Sequence, residues 1–113
     1  MARIKRYCGP YILEINDGKM REYCGSFKYV LEGNRIKEYC GKYLYEIDGD
    51  RVKEYCGRYI LEFTGNRLKR YCGPYIIEID GNRIKEYCGK YLYEIEGYLT
   101  HKELVMFLTL TFA

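Results

Sequence analysis

The tripeptide Tyr-Cys-Gly occurs six times in this 113-residue chain, each cysteine sixteen residues after the one before. That period sets the frame for everything else. Six units follow one another without a spacer, over residues 3–18, 19–34, 35–50, 51–66, 67–82 and 83–98, and a distinct segment, 99–113, closes the chain. Self-similarity at a fixed short period means that each unit is one supersecondary element, unable to bury its apolar face without its neighbours. The expected organisation is therefore a single repeat domain over residues 1–113, with the last segment as a cap.

Each unit holds two short runs rich in aromatic and β-branched residues, separated by glycine-bearing turns, which is the pattern of a β-hairpin. The sequences Asp48-Gly49-Asp50, Thr64-Gly65-Asn66 and Asp80-Gly81-Asn82 suit a two-residue loop with a positive φ at its first position. With Gly81-Asn82 as the loop, Ile79 faces Ile84, Glu78 faces Lys85 and Ile76 faces Tyr87. An Asp80-Gly81 loop would instead set Glu78 against Arg83. The first register is preferred because it pairs Ile with Ile, and cross-strand pairs of this kind contribute ~0.2–1 kcal/mol each. Alternation then assigns Ile36, Tyr43, Tyr45 and Ile47 to the core face, and Arg35, Lys37, Tyr39, Leu44 and Glu46 to the opposite one.

Charge decides how the hairpins assemble. A solenoid would stack each column on itself, placing Lys37 near Lys53 and Glu46 near Glu62. An antiparallel meander sets the glutamate column against the lysine column of the next strand, and is favoured. Twelve strands are many for an open sheet, and twist curls or closes such sheets. The expected fold is all-β: six hairpins in a curled or closed antiparallel meander, with a short C-terminal helix. The helix rests on Thr100 and Glu103, a capping box, followed by Leu104-Val105-Met106-Phe107-Leu108, which is apolar on every side and needs covering all round. The alternation in Leu108-Thr109-Leu110-Thr111-Phe112 leaves a final strand as the other reading.

The stretch Tyr39-Cys40-Gly41-Lys42-Tyr43-Leu44-Tyr45-Glu46-Ile47-Asp48-Gly49, repeated and closed by the tail Leu99–Phe112, resembles uncharacterised bacterial proteins built from short Tyr/Gly-rich hairpin repeats. More loosely it resembles the beta-flower domains, whose hairpins are arranged radially. The resemblance implies a hairpin-repeat fold and brings no activity, cofactor or functional residue with it.

Three features bear on function. Cys8, Cys24, Cys40, Cys56, Cys72 and Cys88 could supply thiolates to zinc or iron, but no two stand at the close spacing of a C-x-x-C pair. Two strands apart, about 9.5 Å, they also exceed the ~7 Å Cα limit of a disulfide, and only a tightly closed ring would bring the thiols together on its axis. The favoured reading is a small residue at the mouth of a turn, with metal binding the third functional alternative and no cofactor expected. Second, Arg35, Lys37, Tyr39, Arg51, Lys53, Tyr55, Arg83, Lys85 and Tyr87 share one face. Cations interleaved with aromatics suit single-stranded nucleic acid, although Glu14, Glu46, Glu62, Glu78 and Glu94 lie among them, and the net charge is only +3. Third, nucleophilic catalysis needs a nucleophile beside a base, and one Ser, Ser26, and one His, His101, do not supply that pairing.

The expectation is a non-enzymatic structural or interaction module presenting a Tyr-rich surface to an unidentified protein or ligand. Nucleic-acid or anionic-ligand binding through the Arg/Lys/Tyr face is the alternative. No window approaches a membrane span of ~18 apolar residues, and no apolar run of signal-peptide length follows the basic start. A cytoplasmic setting with reduced thiols and no membrane partner is expected. An open meander would leave edge strands for a second copy to pair.

Overall fold

The computed structural model describes residues 2–113. Twelve strands run in chain order: β1 (Ala2–Arg6), β2 (Tyr11–Asn16), β3 (Lys19–Glu22), β4 (Phe27–Glu32), β5 (Arg35–Glu38), β6 (Tyr43–Asp48), β7 (Arg51–Glu54), β8 (Tyr59–Thr64), β9 (Arg67–Arg70), β10 (Tyr75–Asp80), β11 (Arg83–Glu86) and β12 (Tyr91–Gly97). Helix α1 (His101–Phe112) follows. Every strand pairs antiparallel with its sequence neighbour, and β1 pairs with β12 from Ala2↔Gly97 to Arg6↔Tyr93. The meander is thus a closed barrel. Closure leaves no free edge, which removes the edge-strand route to self-association.

Two kinds of turn alternate, one kind on each rim. On the first rim, Asp80 pairs with Arg83, Ile79 with Ile84 and Glu78 with Lys85, so Gly81-Asn82 is the loop. The amide of Tyr87 donates to the carbonyl of Ile76, extending that hairpin as expected. Gly33, Gly49, Gly65 and Gly81 take φ of 62° to 64°, the left-handed region open to glycine at little cost. The first hairpin differs: Asp17 and Gly18 both have positive φ, 57° and 78°, the type I′ pattern that Asp-Gly favours.

The second rim carries the six Tyr-Cys-Gly turns. In each, the glycine amide donates to the carbonyl three residues back, as Gly41 does to Glu38 at 3.0 Å. Beyond every one of these turns the register slips by one residue, between Ile36 and Lys37 for β5 and β6, and at the five equivalent places. Each slip is a β-bulge, which bends the strand and increases its twist. Six bulges, one per unit, curl the sheet until its ends meet.

The bulge also corrects the assignment of faces. Tyr43 does not point into the core: its ring stacks on the exposed Tyr55, and its hydroxyl donates to Glu32. Leu44, expected on the outside, occupies the bulged position, and its counterparts Ile12, Ile60, Ile76 and Leu92 pack against the core. An extra residue between Cys40 and Tyr45 breaks the strict alternation that a regular strand would keep.

Ile4, Met20, Ile36, Val52, Leu68 and Ile84 form a fully buried ring, one from each unit. Inside it stands α1. The molecule measures 36 × 36 × 17 Å, and twelve helical residues rise about 18 Å, so the helix matches the barrel's height. Its first turn reaches the wall in three directions. His101 packs edge-on against Phe63, the Glu103 carboxylate accepts from the Gly18 amide at 2.8 Å, and Leu104 lines a pocket with Gly81 and Asn82. Val105, Met106, Phe107, Leu108 and Thr109 are buried within. The expected capping box is present, with Thr100 Oγ1 accepting from the Glu103 amide and Glu103 Oε1 from the Thr100 amide. The tail is therefore helix and not a thirteenth strand, because a segment apolar all round finds its cover on the barrel axis.

Candidate functional site

Strand pairing brings the basic, acidic and aromatic columns into one belt on the outside of the barrel. In each unit the tyrosine of the Tyr-Cys-Gly turn lies against the aromatic ring that follows the turn in the preceding unit. Ring centroids stand 5.2 Å apart for Tyr11 and Tyr23, 5.7 Å for Phe27 and Tyr39, and 5.0 Å for Tyr43 and Tyr55. They are 5.3 Å apart for Tyr59 and Tyr71, and 4.9 Å for Tyr75 and Tyr87. Tyr91 and Tyr7, 5.0 Å apart, carry the belt across the seam where the chain's two ends meet. The turn tyrosines remain between 37% and 45% exposed.

An arginine sits over most pairs. Arg35 lies 5.5 Å from the centre of Tyr43 and 5.6 Å from that of Tyr55, and Arg51, Arg67 and Arg83 repeat the arrangement. Lys37, Lys53 and Lys85 approach the rings of Tyr43, Tyr59 and Tyr91 from the neighbouring strand. Cation–ring contacts at exposed sites contribute ~0.5–1 kcal/mol, and aromatic pairs ~0.5–1.5 kcal/mol beyond their burial. The belt therefore holds neighbouring hairpins together.

The charges are also paired. Glu46 lies between Arg35 and Lys53, Glu62 between Arg51 and Lys69, Glu78 between Arg67 and Lys85, and Glu94 between Arg83 and Lys5. Glu46, Glu62 and Glu94, as acceptors, raise the pKa of Arg35, Arg51 and Arg83. The phenols of Tyr11, Tyr43, Tyr59 and Tyr91 donate to Glu96, Glu32, Asp48 and Asp80 at 2.6 to 2.8 Å. That hydrogen bond is the chief reason each phenol titrates above its ordinary value. Glu14 is the buried member of the glutamate column, its Oε2 accepting from Arg3 and its Oε1 from both Nε and Nη2 of Arg21. Burial raises its pKa, but the hydrogen bonds from Arg3 and Arg21 outweigh burial and leave it below the usual carboxylate range.

All nine residues expected on the binding face, Arg35, Lys37, Tyr39, Arg51, Lys53, Tyr55, Arg83, Lys85 and Tyr87, belong to this belt. Strict alternation missed their partners Tyr43, Tyr59 and Tyr91, because it placed that column in the core. No residue of these strands signals the bulge that turns the column outward; it is seen only in the strand pairing.

The second unit interrupts the pattern. Val30 occupies the glutamate position, opposite Lys19 on one side and Lys37 on the other. Phe27 has no hydroxyl, and its neighbour Asn16, from the first unit, stands where four of the other five units place an acid. A cleft of about 130 Å³ opens there, lined by Glu14, Asn16, Arg21 and Phe27.

All six cysteines are exposed free thiols on the second rim. Their φ lies between 55° and 61°, so the cysteine, and not the glycine beside it, takes the left-handed conformation of the turn. The glycine is required for another reason. A Cβ at Gly41, Gly57 or Gly89 would stand 2.7–2.9 Å from the Cβ of the glutamate three residues back. Among the described residues no three His, Cys, Asp or Glu side chains stand close enough to share a metal ion. His101 is exposed at the helix start and far in the chain from the turns. Within the described residues no helix is long and apolar enough to cross a membrane.

No protein-family model, no curated protein and no solved structure matches this chain.

Proposed function

We propose that this chain is a non-enzymatic structural or interaction module that presents a Tyr-rich repeat surface, of the kind built by the Tyr/Gly-rich hairpin-repeat proteins its motif resembles. One observation carries the reading: a continuous outward belt of six close aromatic pairs, four stacked and two tilted, fixed by arginines and glutamates on a barrel whose interior is filled by its own helix. Tyrosine offers rigid apolar area with a polar tip at low entropic cost, which suits protein recognition. Repeat architectures commonly act through such extended surfaces.

Capture of partners from a lysate on the immobilised chain, compared with a variant carrying Tyr39→Ser, Tyr55→Ser and Tyr71→Ser, tests the reading. Each change removes one exposed ring from its pair and leaves the core untouched. A protein retained by the wild type and lost from the folded variant supports the belt. An identical retained set from both counts against it.

The second reading, binding of single-stranded nucleic acid or another polyanion, has one observation in its favour. Val30 breaks the glutamate column, so that Lys19 faces no glutamate across the strands and Lys37 pairs instead with Glu32, at 3.9 Å. Elsewhere the ring faces needed for base stacking are already covered by each other and by guanidinium groups. Anisotropy titration with a short single-stranded oligonucleotide separates the two readings. Salt-dependent binding that Val30→Glu weakens would favour this reading, and absence of binding at low salt would remove it.

A further inference from the structure

The three residues of the Tyr-Cys-Gly turn are the only columns identical in all six units. Two of them have a reason inside the barrel. The tyrosine stacks on the ring of the preceding unit, and the glycine avoids a collision with the residue three positions back. The cysteine has none. Its side chain is exposed, and its left-handed φ is one that glycine or asparagine adopts more cheaply. The opposite rim provides the comparison: at Gly33, Gly49, Gly65 and Gly81 the same φ is taken by glycine, and only in the first hairpin does another residue, Asp17, take it. A thiol kept six times against the backbone's preference acts on something outside the chain, since barrel geometry sets neighbouring cysteines two strands apart, about 9.5 Å, beyond the ~7 Å Cα limit for a disulfide.

The same rim encloses an apolar mouth. Ile12, Leu44, Ile60, Ile76 and Leu92 are half-buried at the bulges next to the Tyr-Cys-Gly turns, with the exposed Lys28 as their counterpart in the second unit. Outside them lie charged residues: Arg6 and Arg70 precede the cysteines of the first and fifth units, while Glu22, Glu38, Glu54 and Glu86 precede the others, Glu22 and Glu54 being paired within the monomer to Lys28 and Arg58. An apolar centre within a polar, charged margin is the layout of a protein interface.

We infer that this face docks on the same face of a second copy, rim to rim, and that facing thiols join the two copies by intermolecular disulfides. The number of thiols selects the partner. Six roughly evenly spaced groups are matched all at once only by a ring with the same spacing, and a copy turned over about a two-fold axis provides one. If one pair of thiols meets, all six do. Charge then selects the registers. A two-fold axis passing through a unit sets Arg6 on Arg6, Arg70 on Arg70, or Arg6 on Arg70. An axis passing between units sets both arginines against glutamates, for example Arg6 on Glu22 and Arg70 on Glu54, and leaves a single kind of like-charge meeting, here Glu38 on Glu86, without any arginine facing an arginine. In each of these registers an odd-numbered unit faces an even-numbered one, and no cysteine faces its own copy.

The chemistry needs an oxidant, and a low-molecular-weight disulfide serves. The thiolate of one cysteine attacks that disulfide, forming a mixed disulfide and releasing one small thiol. The facing cysteine, losing its proton, then attacks the protein sulfur of the mixed disulfide, which forms the intermolecular bond and releases the second small thiol. Two protein thiols are oxidised as one small disulfide is reduced. This docking face is separate from the tyrosine belt and does not depend on it.

Oxidised glutathione added to dilute, freshly reduced protein tests the inference, read by intact mass, by sedimentation and by peptide mapping with a protease that distinguishes the third unit from the sixth. The expected product is a dimer of twice the mass, linked only between odd and even units, such as Cys8 to Cys24 but never Cys8 to Cys8. A chain with all six cysteines replaced by glycine should keep the barrel's circular dichroism and form no covalent dimer. Monomers carrying up to six glutathione adducts, disulfides within one chain, larger random oligomers, or dimers linked through the same cysteine of each copy would each overturn it.

Discussion

The substitution Cys56→Gly isolates the tension built into the Tyr-Cys-Gly turn. Cys56 has φ of 56°, and an L-residue in the left-handed region costs roughly 1–2 kcal/mol relative to the right-handed one. Glycine removes that cost but loses more backbone freedom on folding, which takes back roughly 0.5–1 kcal/mol. The thiol is exposed, so its removal opens no cavity. The net expectation is a gain of about 0.5–1 kcal/mol. Urea unfolding followed by tyrosine fluorescence reads it as a rise in midpoint at unchanged slope. Two neighbouring variants fix the interpretation. Gly57→Ala should lose ~1–3 kcal/mol by overpacking, because its Cβ would stand 2.9 Å from the Cβ of Glu54. Gly65→Ala on the other rim should lose about 1 kcal/mol from φ alone, since a Cβ there meets nothing within 4 Å and φ is 63°. Loss of stability in Cys56→Gly would refute the reasoning, since the thiol would then be making a stabilising contact in the folded monomer.

Other consequences follow from the same geometry. Phe107→Ala empties the barrel axis beside Tyr93 and should cost ~3–5 kcal/mol, read by denaturant unfolding; a loss below 1 kcal/mol would mean the helix is dispensable to the core. Glu14→Gln should lower the thermal midpoint more than Glu46→Gln, because Glu14 is buried between two arginines whereas Glu46 is partly exposed. The Glu14 carboxyl is depressed when folded, so its stabilisation is complete above the unfolded carboxyl value of about 4.3 and disappears as pH falls through the lower folded value. The acid limb of a stability–pH curve should therefore flatten in Glu14→Gln. The phenol of Tyr59 is raised by its hydrogen bond to Asp48, and ultraviolet titration should show it moving down in Asp48→Asn. That bond's stabilisation is full below the unfolded phenol value of about 10 and fades as pH rises through the folded value.

Much of the architecture was legible in the chain because its determinants are local and repeated. The sixteen-residue period gives the hairpin, Gly81-Asn82 gives the loop, and the Ile79–Ile84 and Glu78–Lys85 pairs give the register. Opposite charges across strands select a meander over a solenoid. Thr100 and Glu103 announce a helix whose apolar circumference demands enclosure. These follow from φ preferences, side-chain alternation and pairing over a few residues.

Tertiary structure decided what depends on closure. One bulge per unit shifts the alternation by a residue, sending Tyr43 outward and setting Leu44's counterparts Ile12, Ile60, Ile76 and Leu92 against the core, and no feature of β6 alone reveals that slip. The pairing of Tyr91 with Tyr7, at opposite ends of the chain, exists only because β1 meets β12. The cysteine shows the division best. Its recurrence is plain in the sequence, and the adjacent glycine looks like the residue that frees the backbone. In the folded turn the cysteine bears the left-handed φ and the glycine merely makes room for Glu38, Glu54 or Glu86. Which of two neighbouring residues bends the chain is set by packing against the strand behind the turn, and that contact arises only when the hairpin is formed.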